Sequence, residues 1–306
     1  MKHPCQRDCV IGLSGQGIGS IAMIAREESV GAPVQQTDIL GVAELEQFQT
    51  LEVSVDQRGV ARVALNRPER HNAMNGQLIR DLSSAAVMLD DDPRVRVVVL
   101  AAKGKSFCAG ADLGWAKAMI GGDHEFRMEE AICLANMFNR LDSLGKPLVG
   151  RIHGQAFGGG IGLMSVCDVT IGVSGNRFGL TETRLGLVPA TIGPYVVRRL
   201  GVGTSRWLFT SPRLMNSEEA HDLGILSRVV RERELDASIE DAVAPFLLAA
   251  PGAVRKAKSL VRQLGGEIDK ETVQGTAELL VEVLEGEEAK SGIDAFFGKN
   301  APPWQV

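Results

Sequence analysis

The chain has no run approaching the roughly 18 consecutive apolar residues of a membrane-spanning helix, and nothing in it points to a membrane partner. Cysteine is scarce: there are 5 in 306 residues, at Cys5, Cys9, Cys108, Cys133 and Cys167. An odd and scattered set is not a disulfide framework. It fits a reducing compartment, and a cytoplasmic location is expected. Only Cys5 and Cys9 lie close together, with no His or Cys following at zinc-ligand spacing, so no metal site is expected. Cationic excess is also missing. Lys and Arg (33) against Asp and Glu (38) give a net charge of -5, which argues against a nucleic-acid partner held by bulk charge. Glycine (35) and proline (12) are too few for a low-complexity chain, and no internal repeat is visible. Collagen-like, disordered and coiled-coil classes therefore fall away.

What is there is the composition of a globular protein with a sizeable core. Apolar residues make up 44% and charged residues 23% of a length that suits one large domain or two. The segment before about residue 48 stands apart. Its apolar stretch, 9–25, follows Lys2 and Arg7 as a secretion signal would, but Asp8 sits in the basic part and Ser14, Gly15, Gln16 and Gly17 interrupt the apolar part. A flexible extension over 1–48 is expected instead, with Met23 as an alternative start. Gly15, Gly17 and Gly19 are spaced G-x-G-x-G rather than G-x-G-x-x-G, and no convincing strand leads into them, so a dinucleotide site has little support.

From Leu51 the pattern becomes regular. Leu51, Val53 and Val55 alternate with polar residues, Asp56-Gln57-Arg58-Gly59 turns, and 60–65 runs apolar, which reads as a hairpin. Leu78, Leu82, Ala85 and Leu89 recur at helical spacing until Asp90-Asp91-Asp92-Pro93 stops them. The near-continuous apolar run 95–102 is the signature of a strand buried on both faces. A helix at about 126–143, a strand at 147–152, a helix at about 159–166 and a strand at 167–173 continue the alternation. An α/β fold with a parallel sheet wrapped by helices is expected, turning mostly helical past residue 190.

Three segments could carry chemistry. In the first, 105–113, small residues follow the buried strand and leave backbone N–H groups accessible, with Asp112 placed to cap a helix starting near Leu113. In the second, 153–162, the glycines Gly158, Gly159 and Gly160 open a helix whose first N–H groups have no partner and can hold a developing oxyanion. In the third, 178–189, Glu182 stands among apolar and small residues, where desolvation raises a carboxyl toward general acid/base work near neutral pH. Each also has a plainer reading: a strand-to-helix turn, tight helix–strand packing, and a surface Glu paired with Arg184. His124 and His221 read as surface residues, and His71 and His153 lack a carboxylate partner pattern. Cys108 reads as a small packing residue.

In this order and spacing the segments resemble the crotonase (enoyl-CoA hydratase/isomerase) superfamily, from about Leu51 onward. Asn66-Arg67-Pro68 with Asn72-Ala73-Met74-Asn75, then Phe107-Cys108-Ala109-Gly110-Ala111-Asp112-Leu113, the triple glycine, and Gly179-Leu180-Thr181-Glu182-Thr183-Arg184-Leu185-Gly186 carry the resemblance. It implies a ββα spiral core over 49–240 and a helical C-terminal region, 241–306, that builds a homotrimer or a dimer of trimers. It implies an acyl-CoA thioester as substrate, with no separate cofactor because coenzyme A is part of that substrate. The thioester oxygen is expected between the N–H groups of Ala111 and Gly159, with Glu182 as catalytic carboxylate. Contacts to coenzyme A are implied for Arg70, His71, Asn72, Ala109, Ala111, Asp112, Leu113, Gly114, Trp115, Gly158, Gly159, Phe296 and Lys299.

One departure stands out. The first of the two glutamates typical of the hydratases falls on Gly162, which has no side chain to offer. Two kinds of relative live with that: hydratases similar to the methylglutaconyl-CoA and carboxygeranoyl-CoA type, and Δ3,Δ2-enoyl-CoA isomerases. The stretches 109–115, 158–163 and 184–196 are closest to the former. Hydration of a 2-enoyl-CoA is therefore expected, with isomerisation as the alternative and non-catalytic binding of CoA thioesters as a further one. A distal carboxylate on the acyl group would call for a cation, for which Lys117 and Arg184 are candidates. Trp115, Met119 and Ile120 are expected to line or cover the acyl pocket, with a flexible segment at Gly121-Gly122.

Overall fold

In the computed structural model, the described residues are 48–305. Residues 1–47, with the glycine spacing at Gly15, Gly17 and Gly19 and with Cys5 and Cys9, lie outside them. The hairpin forms as β1 (Leu51–Val55) and β2 (Val60–Leu65), antiparallel from Leu51 opposite Leu65 to Val55 opposite Ala61. α1 (Gly76–Asp91) starts where the Asn75 side chain accepts the Leu78 N–H (2.9 Å), and it turns Leu78, Ile79, Leu82, Ala85, Ala86 and Leu89 inward. β3 (Val97–Ala102) pairs in parallel with β2 on one side.

Its six residues are all buried. Val98, Leu100 and Ala102 face the main core, whereas Val97 and Val99 face a second apolar layer on the other side of the sheet. That two-sided burial is why the run carries no alternation.

After β3 the chain repeats one arrangement: a strand in the large sheet, a three-residue strand in a small sheet, then helix. β4 (Ser106–Cys108) leads to α2 (Leu113–Gly121) and α3 (His124–Ser143). β5 (Leu148–Ile152) and β6 (Gln155–Phe157) lead to α4 (Gly159–Ser165). β7 (Val169–Val173) and β8 (Arg177–Gly179) lead through the 3₁₀ turn Glu182–Leu185 to α5 (Gly193–Thr210). Then come β9 (Met215–Asn216), α6 (Ser217–Asp222) and β10 (Arg228–Val230). The large sheet runs β1-β2-β3-β5-β7-β10 and the small one β4-β6-β8-β9. The sequence shows no repeat, yet the elements repeat, because the fold reuses geometry and polarity rather than residues. Strands of three residues are also too short to carry a readable period.

Four helices complete the described chain. α7 (Leu235–Leu248) buries Leu235, Ile239 and Val243 in the second apolar layer against the sheet, so it belongs to the core and runs across the boundary expected at 240/241. α8 (Pro251–Leu264) has no buried residue. It is tied down by charge instead: Arg255 to Asp90 (2.9 Å), Lys258 to Asp168 (2.6 Å) and Arg262 to Asp142 (3.4 Å). α9 (Lys270–Glu285) buries Val273, Ala277, Val281 and Leu284 and lies along α3.

α10 (Glu287–Gly298) rests on the 3₁₀ turn Glu182–Leu185. The contact is backbone to backbone. A Cβ at Gly292 would fall 2.5 Å from the Leu185 carbonyl, and one at Gly186 would fall 2.4 Å from the Glu288 carbonyl carbon.

Candidate active site

Two loops meet at the C-terminal ends of β4 and β6. The first is stitched to the segment before α1: Met74 N–H donates to Gly110 O (2.7 Å) and Asp112 N–H donates to Met74 O (2.8 Å). This bridge holds Ala111 opposite Met74, and among the described residues the Ala111 N–H finds no acceptor. Asp112 caps α2, accepting from Gly114 N–H (2.8 Å) and Trp115 N–H (3.2 Å), while Arg67 pairs with its other oxygen at 3.0 Å.

The second loop is Gly158-Gly159-Gly160. Gly158 has φ +49° and ψ -117°, a conformation open to glycine, and its N–H donates to Gly179 O (3.0 Å). Gly159 is the first residue of α4, so its N–H has no carbonyl one turn back to reach. Ala111, Gly158 and Gly159 line one cavity.

Glu182 lines the same cavity from the third loop. Its Oε1 lies 3.1 Å from where a Cβ on Gly158 would stand, which places the carboxylate against the second glycine loop. Although part of the residue remains accessible, Oε2 is sealed and without a hydrogen-bond partner among the described residues. Desolvation pushes this carboxyl from the ordinary 4.5 up to about 7, partly offset by the nearby N–H groups of Glu182 and Thr181. The surface pairing with Arg184 does not form: the Arg184 guanidinium donates to Pro212 O (2.8 Å).

The cavity encloses about 270 Å³. Apart from Glu182 and the hydroxyls of Thr181 and Thr191, its walls are apolar or backbone, and they include Phe138, Ile192, Leu280 and Leu284. Gly162 is buried in α4, and the space beyond it is filled. A Cβ there would lie 2.4 Å from Ile192 Cγ2 and 2.9 Å from Phe138 Cε1. No second acid faces Glu182 among the lining residues. A second cavity of about 420 Å³ shares Ala109, Phe157, Thr181, Leu185 and Phe296 with the first and opens past Arg184 and Asn300.

The structure brings Ala109, Ala111, Leu113, Trp115, Gly158, Gly159, Glu182 and Phe296 together around this cavity. It sets others apart. Asn72 does not present its side chain to the cleft. It is fully buried, donates to Lys103 O (2.8 Å) and Ser106 O (2.9 Å), and accepts from Arg67 N–H (2.9 Å), so it holds the loop together. Both His71 (φ 51°) and Asn72 (φ 54°) are left-handed, and His71 is exposed beside Ser106 Oγ (3.0 Å). Arg70 and Gly114 are exposed, as is Lys299, which ends α10.

Met119 is buried in the cavity wall, whereas Lys117 points to solvent. Gly122 packs against Phe126. Sequence reasoning passed over Met74, whose thioether packs on Gly159, and over Phe138 and Ile192. Met74 carried a signal in its place in the early motif and Ile192 in the stretch 184–196, whereas Phe138 carried none.

The model of the enoyl-CoA hydratase/isomerase family matches residues 56–306. The chain belongs to this family. An enoyl-CoA hydratase of Alternaria alternata is 36% identical over 210 residues, covering 68% of each chain. The short-chain-enoyl-CoA hydratase of Clostridium acetobutylicum is 31% identical over 244 residues, 78% of this chain and 92% of its own. A crystal structure of an enoyl-CoA hydratase from Shewanella pealeana superposes with TM-score 0.69 at 31% identity, over 85% of this chain and 97% of that one. Within the hydratase/isomerase family, then, the protein is an enzyme of the crotonase fold with one carboxylate, Glu182, among the described residues that line its cavity.

Proposed function

We propose that the protein adds water across the 2,3 double bond of a 2-enoyl-CoA thioester with Glu182 as its single acid/base. The observation that carries this reading is the shared cavity: an unpartnered, desolvated carboxyl stands beside two loops that each offer a free backbone N–H. The thioester oxygen takes the N–H groups of Ala111 and Gly159. Water attacks C3 while Glu182 accepts its proton, and the C2=C3 electrons move onto the thioester oxygen. The enolate then collapses, and C2 takes the proton back from Glu182, which regenerates the carboxylate. Each N–H aimed at the developing oxyanion contributes about 3 kcal/mol to the transition state. A carboxyl poised at about 7 is present in both forms at neutral pH, which suits one group serving both halves.

The lining also speaks to the acyl group. Among the described residues no Lys, Arg or His lines the inner cavity, and neither Lys117 nor Arg184 reaches it. A distal carboxylate would be buried unpaired beside Glu182, a cost of several kcal/mol, so an uncharged acyl chain is the better fit. The outer cavity is then the route for the pantetheine arm.

The filled position beyond Gly162 favours a second reading, isomerisation of a 3-enoyl-CoA, because moving one proton from C2 to C4 needs one base only. Mass spectrometry after incubation with crotonyl-CoA, 3-methylglutaconyl-CoA and a 3-enoyl-CoA separates them. A product heavier by one water from crotonyl-CoA is expected. Unchanged mass with a shifted double bond establishes the isomerase instead, binding without any product leaves a CoA-thioester binder, and rapid turnover of the glutaconyl ester overturns the uncharged acyl class.

A further inference from the structure

One wall of the inner cavity is held by a polar bond that the proposed reaction does not use. Trp115 lies in that wall with Ala116 and Met119, all on one face of α2. α2 is a poor candidate for holding itself in place, since Met119 is its one buried residue among nine. Trp115 also packs, partly buried, against the main core, and the remaining attachments are polar. Asp112 pairs with Arg67 at the start, and Arg127 of α3 donates to Met119 O and Ile120 O (2.8 Å each) at the end. Between them, Trp115 Nε1 donates to Glu130 Oε2 (2.5 Å).

Glu130 does not line the cavity. It projects from α3 with 15% of its side chain exposed, and Arg80 stands 3.6 Å away. Its seat exists because Gly76, the first residue of α1, has no side chain: a Cβ there would fall 2.8 Å from Glu130 Oε2. The indole is thus fixed by a charged acceptor, the stronger kind of hydrogen bond, at the point where α1, α2 and α3 converge.

We propose that Glu130 is a positioning residue that sets acyl-chain-length selectivity by holding the Trp115 indole against the inner cavity. The proposal rests on the reading that this cavity receives the acyl chain. With the bond intact, the indole caps the α2 side of a cavity of about 270 Å³ and chain length is limited there. With the bond broken, a nine-residue helix with one buried side chain yields, and the wall opens to longer chains.

Saturated acyl-CoAs test this without any turnover. Isothermal titration of the full chain with butyryl-, octanoyl- and dodecanoyl-CoA gives the affinity ratio between long and short chains for wild type, Glu130→Leu, Glu130→Gln and Gly76→Ala. In Glu130→Leu the ratio is expected to move toward dodecanoyl-CoA by about tenfold, the effect of losing a hydrogen bond to a charged acceptor. Gly76→Ala, which displaces the carboxylate without touching either partner, moves it the same way and decides the matter if Glu130→Leu does not fold. Glu130→Gln keeps an acceptor oxygen but loses its charge, so its ratio is expected between wild type and Glu130→Leu. An equal loss at every chain length, or no change in the ratio, overturns the proposal. Acyl-CoA binding by wild type without turnover of any enoyl-CoA refutes the hydratase reading and leaves this test intact, whereas no acyl-CoA binding at all overturns both.

Discussion

Glu182 is buried at a cost. Its carboxyl sits at about 7 rather than 4.5, so the folded protein holds that proton more tightly than the unfolded chain. Stability therefore declines as pH rises from about 4.5 through about 7, and the full penalty applies above that window. At about 1.36 kcal/mol per pH unit it is on the order of 3 kcal/mol. Glu182→Gln is expected to remove this dependence: in urea titrations the variant gains on wild type from pH 5 to pH 8, and parallel curves would sink the argument. If Glu182 accepts and returns the proton as proposed, the same substitution is expected to lower turnover by about a hundredfold or more. Wild-type kcat/KM should rise with pH through an apparent pKa near 7, and Glu182→Gln should lose that limb.

Elements decide what surrounds that carboxyl. Gly158 combines φ +49° with a carboxylate oxygen only 3.1 Å from where its Cβ would stand, so Gly158→Ala should cost roughly 1–3 kcal/mol in backbone strain and nudge Glu182. Thermal melting and turnover check the two effects separately. Gly162→Glu does not restore a two-glutamate site, because Ile192 and Phe138 occupy the room the side chain needs. It is expected to destabilise by at least about 3 kcal/mol from overpacking plus a buried acid, with no gain in hydration; a faster, equally stable variant would show that the plug yields.

Sequence pattern carried far at this scale. The hairpin, the doubly buried strand and the main helices follow from periodicity, and the three glycine- and Glu-bearing loops from residue type. What stayed hidden depends on neighbours brought in by the fold. β4, β6 and β8 are too short to show a period, Asn72 turns inward to satisfy carbonyls distant in sequence, and the partnership of Trp115 with Glu130 exists only once α2 lies on α3.

For the whole molecule the outward face of α8 is the feature to explain. Arg255, Lys258 and Arg262 reach back to acids of the core elements, while Leu264 is 79% exposed and Leu260 and Val261 are exposed beside it, with Leu248 of α7 at 90%. An exposed apolar patch of this kind fits an interface, and we propose that a second copy of this chain covers it, in a homotrimer or a dimer of trimers. Sedimentation velocity should show an oligomer that Leu260→Asp with Leu264→Asp reduces to the 32.7 kDa protomer; a monomeric wild type overturns the assignment.

The seat of α10 on the turn that carries Glu182 has a consequence for biosynthesis. The ribosome releases that turn well before α9 and α10, which furnish Leu280, Leu284 and Ile293 to the enclosure. A nascent chain that lacks these helices lacks that part of the enclosure, so Glu182 is expected to be better hydrated there. On the proposed reading its activity then depends on the last helix docking, and polypeptides clipped short of α10 are expected to show no turnover in the mass-spectrometric assay.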